Sequence, residues 1–479
     1  MVRYGAVDGM LKKMTIFRFV GKRTCCLICF SLLIISSIIP YSCHAASQKE
    51  RLPYRVRAIL YKAVSLMNEK AYDEAIETVR NFEALGKNLK PDEPDPQGYH
   101  HARIYFTLGA CLLFKGEYDQ AVDAFEQAVK KDPTHVSSWL NLAKALYELG
   151  NLVQAADCFK NAYDRAVEKD PKHLYYAATS LLMAKETDAC IVIFQKLIGA
   201  HPDAIRFEWR EAYVQALLAD NRVEQALPHL RELAENTTDG KRIKWQEILL
   251  SQYIRLERWK EAGRYAGWLT EQTPGRPEWW KALAHIHLKE GLYRNALAAL
   301  TISSYLSPLS ESETKLVADL YLQLGIPAKA APFYETVLSE KADTGILQRL
   351  VTALRQLGKS EEALAVLGEI KPDDGCIDLL MVRADLLYEL KRYREAGEAY
   401  QAVAGVKDKE DAVTGRAWLM AGYSALQIEN MDACRNAFKR AAAFASQRKA
   451  ALLAIKQLDN ISRTTAGMKP SNLSKDTSG

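Results

Sequence analysis

The fold is decided by the stretch YFTLGACLLFKGEYDQAVDAFEQAVKKDP, residues 105–133. Its apolar and small residues return every three or four positions on either side of a Lys-Gly-Glu turn, which predicts two amphipathic helices. Gly116 is suited to ending the first helix, and Pro133 to stopping the second. We therefore predict a helix–turn–helix unit, which cannot bury its apolar faces without neighbours of the same kind.

The same unit recurs along the chain, and a small residue in its second helix marks the period. Successive small residues are 46, 34, 35, 36, 36, 34, 34, 33, 33 and 38 residues apart. Nine of these ten gaps lie within four residues of 34, which predicts about eleven stacked repeats over residues 47–445. The marker residues are Ala75, Ala121, Ala155, Cys190, Ala226, Ala262, Ala296, Ala330, Ala363, Ala396 and Cys434.

The repeat resembles the tetratricopeptide repeat, a 34-residue helix–turn–helix unit. The resemblance implies an all-α fold, a right-handed α-solenoid whose first helices line a concave groove. In that family the groove holds an extended peptide or a helix of a partner protein. The matching positions are Tyr105, Leu108-Gly109, Leu112, Gly116, Tyr118, Ala121, Phe125, Ala128 and Pro133.

The resemblance also predicts which side chains face the groove, because it fixes the register of each first helix. Some family members grip a carboxylate with Lys and Asn from three repeats. Here Asn141 and Lys172 fall at two of those positions, but Phe106 and Ala110 occupy two others, so this clamp is incomplete. The candidate partner-binding residues are Lys144, Tyr147, Lys172, Tyr175, Lys244, Glu247, Glu278, Lys281, His285, Lys315, Asp385 and Tyr388.

One interruption and the residues after the last repeat complete the predicted organisation. A proline-rich loop insertion near residues 87–100 separates the first repeat from the second. A capping helix is expected over 446–462, with Ala450, Leu453 and Leu458 covering the last repeat and Lys449 and Lys456 facing water. Residues 463–479, rich in Ser, Thr, Lys and Gly, are predicted to be a disordered tail.

The N-terminal residues 1–46 read as a signal peptide. A basic stretch is followed by an uncharged apolar run over residues 24–39, then Pro40 and small residues up to Ala46. The run is shorter than the roughly 20 residues of a membrane-spanning helix. We therefore expect an exported, periplasmic protein, and an inner-membrane anchor through an uncleaved signal is the alternative.

Charge and cysteine usage restrict the classes of partner. Six basic residues and one acidic residue lie in residues 1–46, so 58 of each sign remain in the rest of the chain. This balance gives no support to nucleic-acid binding. Five cysteines remain after residue 46, widely spaced, which disfavours a disulfide framework.

No signature of catalysis, cofactor binding or metal binding is found in the sequence. Phosphate loops, zinc-protease motifs and serine-hydrolase motifs are absent. His285 and His287 are two residues apart on a helix, so they point to different faces, His285 toward the groove. Trp279 remains free for stacking on a ligand, because the repeat pattern already explains Trp280.

These observations favour a non-enzymatic scaffold or adaptor of the bacterial cell envelope that binds protein partners. The last repeat and its trailing helix resemble the ends of the group associated with TonB energy-transduction systems. The alternatives are a membrane-anchored assembly or export factor for outer-membrane protein, polysaccharide or secretion machinery, and an enzyme-associated subunit that positions a substrate. We expect no small-molecule substrate, and transient membrane association remains open.

Overall fold

The structure is a computed structural model that describes residues 52–89, 93–340, 343–368, 377–406 and 411–467. Within these ranges it contains 23 α-helices, a short 3-10 helix at Pro202–Ala204 and no strand. The predicted all-α class is confirmed. The predicted signal peptide lies outside the described residues.

Residues 52–257 belong to one compact unit, which we call the N-terminal unit. Within it each helix packs against the next along the chain. Its helices are α1 (Tyr54–Asn68), α2 (Tyr72–Ala84), α3 (Ala102–Lys115), α4 (Tyr118–Lys131), α5 (Val136–Glu148), α6 (Leu152–Arg165), α7 (Pro171–Met183), α8 (Thr187–Ala200), α9 (Phe207–Ala219), α10 (Val223–Asn236) and α11 (Asp239–Arg255).

Residues 258–467 belong to a second compact unit, the C-terminal unit. Here too consecutive helices pack on one another. Its helices are α12 (Trp259–Gln272), α13 (Pro277–Lys289), α14 (Tyr293–Leu306), α15 (Glu311–Gln323), α16 (Pro327–Glu340), α17 (Thr344–Gln356), α18 (Ser360–Val366), α19 (Ile377–Glu389), α20 (Tyr393–Gly405), α21 (Asp411–Gln427), α22 (Met431–Ala442) and α23 (Arg448–Gly467).

The eleven marker residues explain why the helices pack so regularly. Each lies in the second helix of its repeat, and each has no exposed surface. A small side chain at this point lets the backbones of neighbouring helices approach closely. Gly109 has the same effect in α3, because a Cβ atom there would lie 2.8 Å from the Phe125 ring of α4.

The turn between the two helices of each repeat places one residue in the left-handed conformation, five positions before the marker residue. Glycine occupies five of these turns, with φ between 72° and 87°, and a larger residue occupies six, with φ between 54° and 64°. Glycine adopts this conformation without steric cost, whereas other residues do not. The glycines are Gly116, Gly150, Gly291, Gly325 and Gly358, and the others are Lys70, Lys185, Asn221, Glu257, Lys391 and Glu429.

His100 ties the insertion between the first two repeats to the turn that follows α2. Its Nε2 lies 3.1 Å from the carbonyl oxygen of Gly86, and its Nδ1 lies 3.0 Å from the Tyr105 hydroxyl. A carbonyl oxygen can only accept, so Nε2 carries the proton. Asp95 accepts from the backbone N–H groups of Gly98 and His100, both at 2.8 Å.

The C-terminal helix α23 covers the last repeat, but with a different face from the one predicted. Ala451, Ala454 and Leu458 are buried against the core of α21 and α22. Ala450 is exposed and Leu453 is 60% exposed, so the expectation that these two residues cover the repeat is wrong. The helix begins at Arg448 and continues to Gly467, five residues past the predicted end, and residues 468–479 lie outside the described residues.

Candidate partner-binding surface

The first helix of each repeat carries the side chains that the sequence assigns to partner binding. Counting back from the marker residue locates them: Lys144 is eleven positions before Ala155, and Tyr147 is eight. These two residues are three apart on α5, so they lie on one side of the helix.

Lys144 is a half-buried cation of the N-terminal unit. Burial lowers the pKa of its ammonium group, and the carboxylate of Glu148, one turn later on α5, partly opposes this effect. No carboxylate of the described residues forms an ion pair with it. A half-buried cation without a counter-ion can be stabilised by an anion from outside the chain.

Aromatic and thioether groups lie on α5, which carries Lys144, and on other first helices of this unit. The Tyr147 hydroxyl donates to Met183 Sδ on α7 at 3.1 Å. Tyr175 of α7 stacks on Trp209 of α9, with ring centroids 4.9 Å apart and planes 15° apart. Met183 is 39% exposed, and Phe114 of α3 is 41% exposed. The first helices of this unit therefore combine a cation with accessible apolar surface.

The sequence prediction omitted Met183 and Phe114, although a signal for them exists. Both residues stand seven positions before the marker residue of their repeat, one position past the register of Tyr147. The prediction stopped at the position of Tyr147, and extending the count by one would have included them.

The other predicted residues of this unit have separate surroundings. Lys172 is exposed at the start of α7, and its backbone N–H donates to Asp170 at 2.8 Å. Lys244 is exposed, with Nζ 5.9 Å from the Trp245 ring centroid. Glu247, on the same helix, is half-buried.

In the C-terminal unit two of the predicted binding residues join neighbouring repeats. Lys281 Nζ lies 2.9 Å from Glu313 Oε1, and Glu313 is buried at 4% exposure. Asp385 accepts from the Tyr400 hydroxyl at 2.7 Å and from the Arg416 guanidinium at 2.9 Å. The charges of Lys281 and Asp385 are therefore matched within the chain.

The arrangement around Asp385 also occurs two repeats earlier. Asp319 accepts from the Tyr334 hydroxyl at 2.7 Å and pairs with Arg349. Tyr334 and Tyr400 are both fully buried, and the adjacent carboxylate raises the pKa of each phenol beyond the effect of burial. In each case a phenol from a second helix and a guanidinium from the next first helix hold one carboxylate.

Between these two clusters the first helices leave an open pocket of about 360 Å³. Thr352 stands where the flanking repeats have Asp319 and Asp385, so no carboxylate fills the position. Arg355 pairs across the pocket with Glu389 at 2.6 Å. The lining residues are Thr352, Arg355, Gln356 and Glu389.

Two predicted ligand-facing residues are buried instead. His285 is only 8% exposed and its ring lies edge-on to Trp259, with centroids 6.2 Å apart, so its assignment to an accessible groove is wrong. Trp279 is 1% exposed, and its indole N–H donates to Thr273 Oγ1 at 3.0 Å, which leaves no ring face for a ligand. Both side chains are used in packing within α12–α13.

The remaining predicted residues of the C-terminal unit are not brought together. Glu278 is exposed and Lys315 is half-buried on the next first helix. Tyr388 packs edge-on against Tyr393, with centroids 5.2 Å apart, and burial raises the pKa of its phenol.

The described residues offer few groups for other kinds of chemistry. No group of three or more potential metal ligands occurs among them, and none of their helices is long and apolar enough to cross a membrane. Cys111, Cys158, Cys190 and Cys434 are buried free thiols, and burial raises the pKa of Cys111 to about 12.

Comparison with known proteins places the repeat in a family. Tetratricopeptide repeat models match residues 106–171 and 174–204. A lipoprotein NlpI homolog of Haemophilus influenzae is 28% identical over 159 residues, 33% of this chain and 48% of that protein. The chain thus spans about half the length of this relative.

Two archaeal proteins are also similar. A TPR repeat-containing protein of Methanocaldococcus jannaschii is 27% identical over 125 residues, 26% of this chain and 21% of that protein. An uncharacterized protein of the same organism is 33% identical over 75 residues, 16% of this chain and 85% of that protein. The matching models, together with the helix pairs and the buried marker residues, show that this chain contains tetratricopeptide repeats.

Proposed function

We propose that the protein is a non-enzymatic scaffold of the bacterial cell envelope that binds a segment of a partner protein on the first helices of its N-terminal unit. The observation that carries this proposal is Lys144, a half-buried cation without a carboxylate partner among the described residues, one turn from Tyr147. A partner segment would supply a carboxylate to Lys144.

The neighbouring groups define the rest of that segment. Tyr147 and Met183 offer apolar surface with a polar hydroxyl at its edge, which suits an aliphatic or aromatic side chain next to the carboxylate. The ligand is thus an acidic peptide segment with an adjacent apolar side chain. A segment with only acidic side chains would leave Met183 without an apolar contact, and an uncharged segment would leave Lys144 without a carboxylate.

The envelope location is proposed from the N-terminal sequence and from one relative. Residues 1–46 have the order of a secretory signal peptide. The Haemophilus relative is named as a lipoprotein, which supports a location in the envelope. A role beside a TonB-type energy-transduction system is the specific assignment that we favour, from the resemblance of the last repeat and its trailing helix.

Affinity purification from envelope fractions tests the binding surface when matched variants are compared. Lys144→Met keeps the length and packing of the side chain and removes its charge. We expect partner affinity to fall about tenfold, the effect of one charge-assisted hydrogen bond. Lys130→Met, an exposed lysine of the second helix α4, should leave the affinity unchanged.

The result that contradicts the proposal is equal affinity of the Lys144→Met protein and the wild type for the recovered partner. Loss of affinity only in the Lys130→Met variant would place binding on the second helices. Recovery of partners without any TonB-system component would remove that assignment and leave the scaffold function in place.

A further inference from the structure

The outer face of helix α23 carries unpaired lysines and exposed leucines together. Leu452 and Leu453 are 54% and 60% exposed. Lys449 and Lys456 are exposed, and no described carboxylate forms an ion pair with either. We call these four residues the cap face.

The positions of the four residues follow from helix geometry. Ala451, Ala454 and Leu458 are buried, so the direction opposite them points away from α22. Lys449 and Lys456 are seven residues apart, nearly two turns, and therefore lie along one line in that outward direction. The two leucines lie between them along the helix, one on each side of the line.

The neighbouring charges strengthen the positive sign of the cap face. Arg435 of α22 pairs with Asp459 of α23 at 2.8 Å. Asp459 is the only acidic residue on the described part of α23, and Arg435 neutralises it. Lys439, one turn after Arg435 along the same edge of α22, is exposed and has no ion-pair partner among the described residues.

We propose that the cap face docks on an anionic lipid surface. Lysines on an exposed helix are attracted to acidic headgroups, and their long side chains reach phosphates while leucines enter the interface. A protein partner holds its anchors in well-packed pockets. The cap face is a convex helix surface whose leucines project outward, and a fluid headgroup layer can close around such a surface. This inference is independent of the surface around Lys144.

Vesicle co-sedimentation of the full chain tests the proposal. The readout is the ratio of partition coefficients on vesicles with about 30 mol% phosphatidylglycerol and on neutral phosphatidylcholine vesicles. This ratio cancels any neutral-lipid binding by the apolar run of residues 24–39. We expect it to exceed about tenfold and to fall as NaCl rises from about 0.15 M to about 0.5 M.

Two double variants and their controls locate the binding. Lys449→Glu with Lys456→Glu should lower the ratio on the order of 25-fold, about fivefold for each lysine. Leu452→Ser with Leu453→Ser should weaken binding to anionic vesicles several-fold. The matched controls are Lys260→Glu with Lys329→Glu, exposed lysines elsewhere in the unit, and Ile302→Ser with Leu306→Ser, exposed apolar residues of α14.

A ratio near one for the wild type overturns the proposal, as does a ratio that both cap-face variants leave unchanged. Sedimentation velocity tests whether the cap face instead binds a second copy of the chain. Self-association that the cap-face variants abolish, without binding to anionic vesicles, would assign this face to contact between copies of the chain. Circular dichroism of each variant shows whether the helical fold is retained.

Discussion

The first helices of residues 102–183 and those of residues 277–427 use charged side chains in different ways. In the first region, no ion pair joins α3, α5 and α7 among the described residues, and Lys144 is unmatched. In the second region, ion pairs join α13 to α15, α15 to α17, α17 to α19 and α19 to α21. Where the chain satisfies its own charges, the face holds repeats together, and where it does not, we propose that the face binds a partner segment.

The largest expected effect comes from removing a carboxylate of the second region. Asp385→Ala leaves the buried Tyr400 hydroxyl without its acceptor and Arg416 without its partner. We expect the free energy of unfolding of the C-terminal unit to fall by about 2–3 kcal/mol, the cost of stranding such groups. A urea titration followed by circular dichroism measures the change.

Two variants show whether this loss comes from the stranded hydroxyl. Tyr400→Phe removes the hydroxyl together with its need for an acceptor, so it should cost less than about 1 kcal/mol. Asp385→Ala in the Tyr400→Phe background should then cost less than it does alone. The matching change in the first region is Lys144→Met, which should change the free energy of unfolding by less than about 0.5 kcal/mol. A loss of stability at Lys144 as large as that at Asp385 would abolish the distinction between the two regions.

Acid should weaken the N-terminal unit through His135, which precedes α5. The centroid of its ring lies 5.0 Å from that of the Phe106 ring, and its Nδ1 is 2.6 Å from Ser138 Oγ. Burial, with a smaller contribution from the nearby Arg103, lowers the pKa of His135 to about 4, while Asp132 opposes both effects. In the unfolded chain the pKa of His135 is about 6.5, so the unfolded chain takes up the proton first as pH falls.

The stability of the N-terminal unit should thus be unaffected by His135 above about pH 6.5 and fall by about 2 kcal/mol between about pH 6.5 and pH 4. Burial also lowers the pKa of His173 and His229, which adds to the same slope. Urea titrations across this range measure it. His135→Asn keeps an acceptor for Ser138 and should flatten the slope, and an unchanged slope would exclude His135 as a cause.

The repeat could be read from the sequence because buried small residues leave little choice of register. All eleven marker residues are fully buried, and the turn residue stands five positions before each one. Whether a given surface charge forms an ion pair within the chain could not be predicted in this way. Lys144 and Asp385 stand at the same position of their repeats, yet only Asp385 has Tyr400 and a following Arg416 within reach.

The face of the cap helix was mispredicted for a related reason. Beyond the last repeat no marker residue fixes the register, and Ala450, Ala451, Leu453 and Ala454 offer two apolar stripes one residue apart. Packing on α22 selects Ala451 and Ala454, and this choice exposes Leu453. His285 was mispredicted in the opposite direction. It was expected to be accessible in the groove, but Trp259 from the preceding helix covers it.

The smallest expected effects lie in the turns, and they separate stability from binding in the first region. Lys185 holds the left-handed conformation between α7 and α8, with φ of 64°, where Gly150 stands one repeat earlier. Lys185→Gly relieves this strain but increases the entropy of the unfolded chain, so we expect a net gain of about 0.5 kcal/mol. Gly150→Ala should cost about 1 kcal/mol, although no atom lies within 4 Å of the added Cβ, because the cost is conformational.

Neither change touches Lys144, Tyr147 or Met183, so partner affinity should stay at the wild-type value in both variants. If affinity instead follows the stability of these turns, the partner recognises the ordering of the repeats, and the unmatched charge of Lys144 is not what distinguishes the two regions.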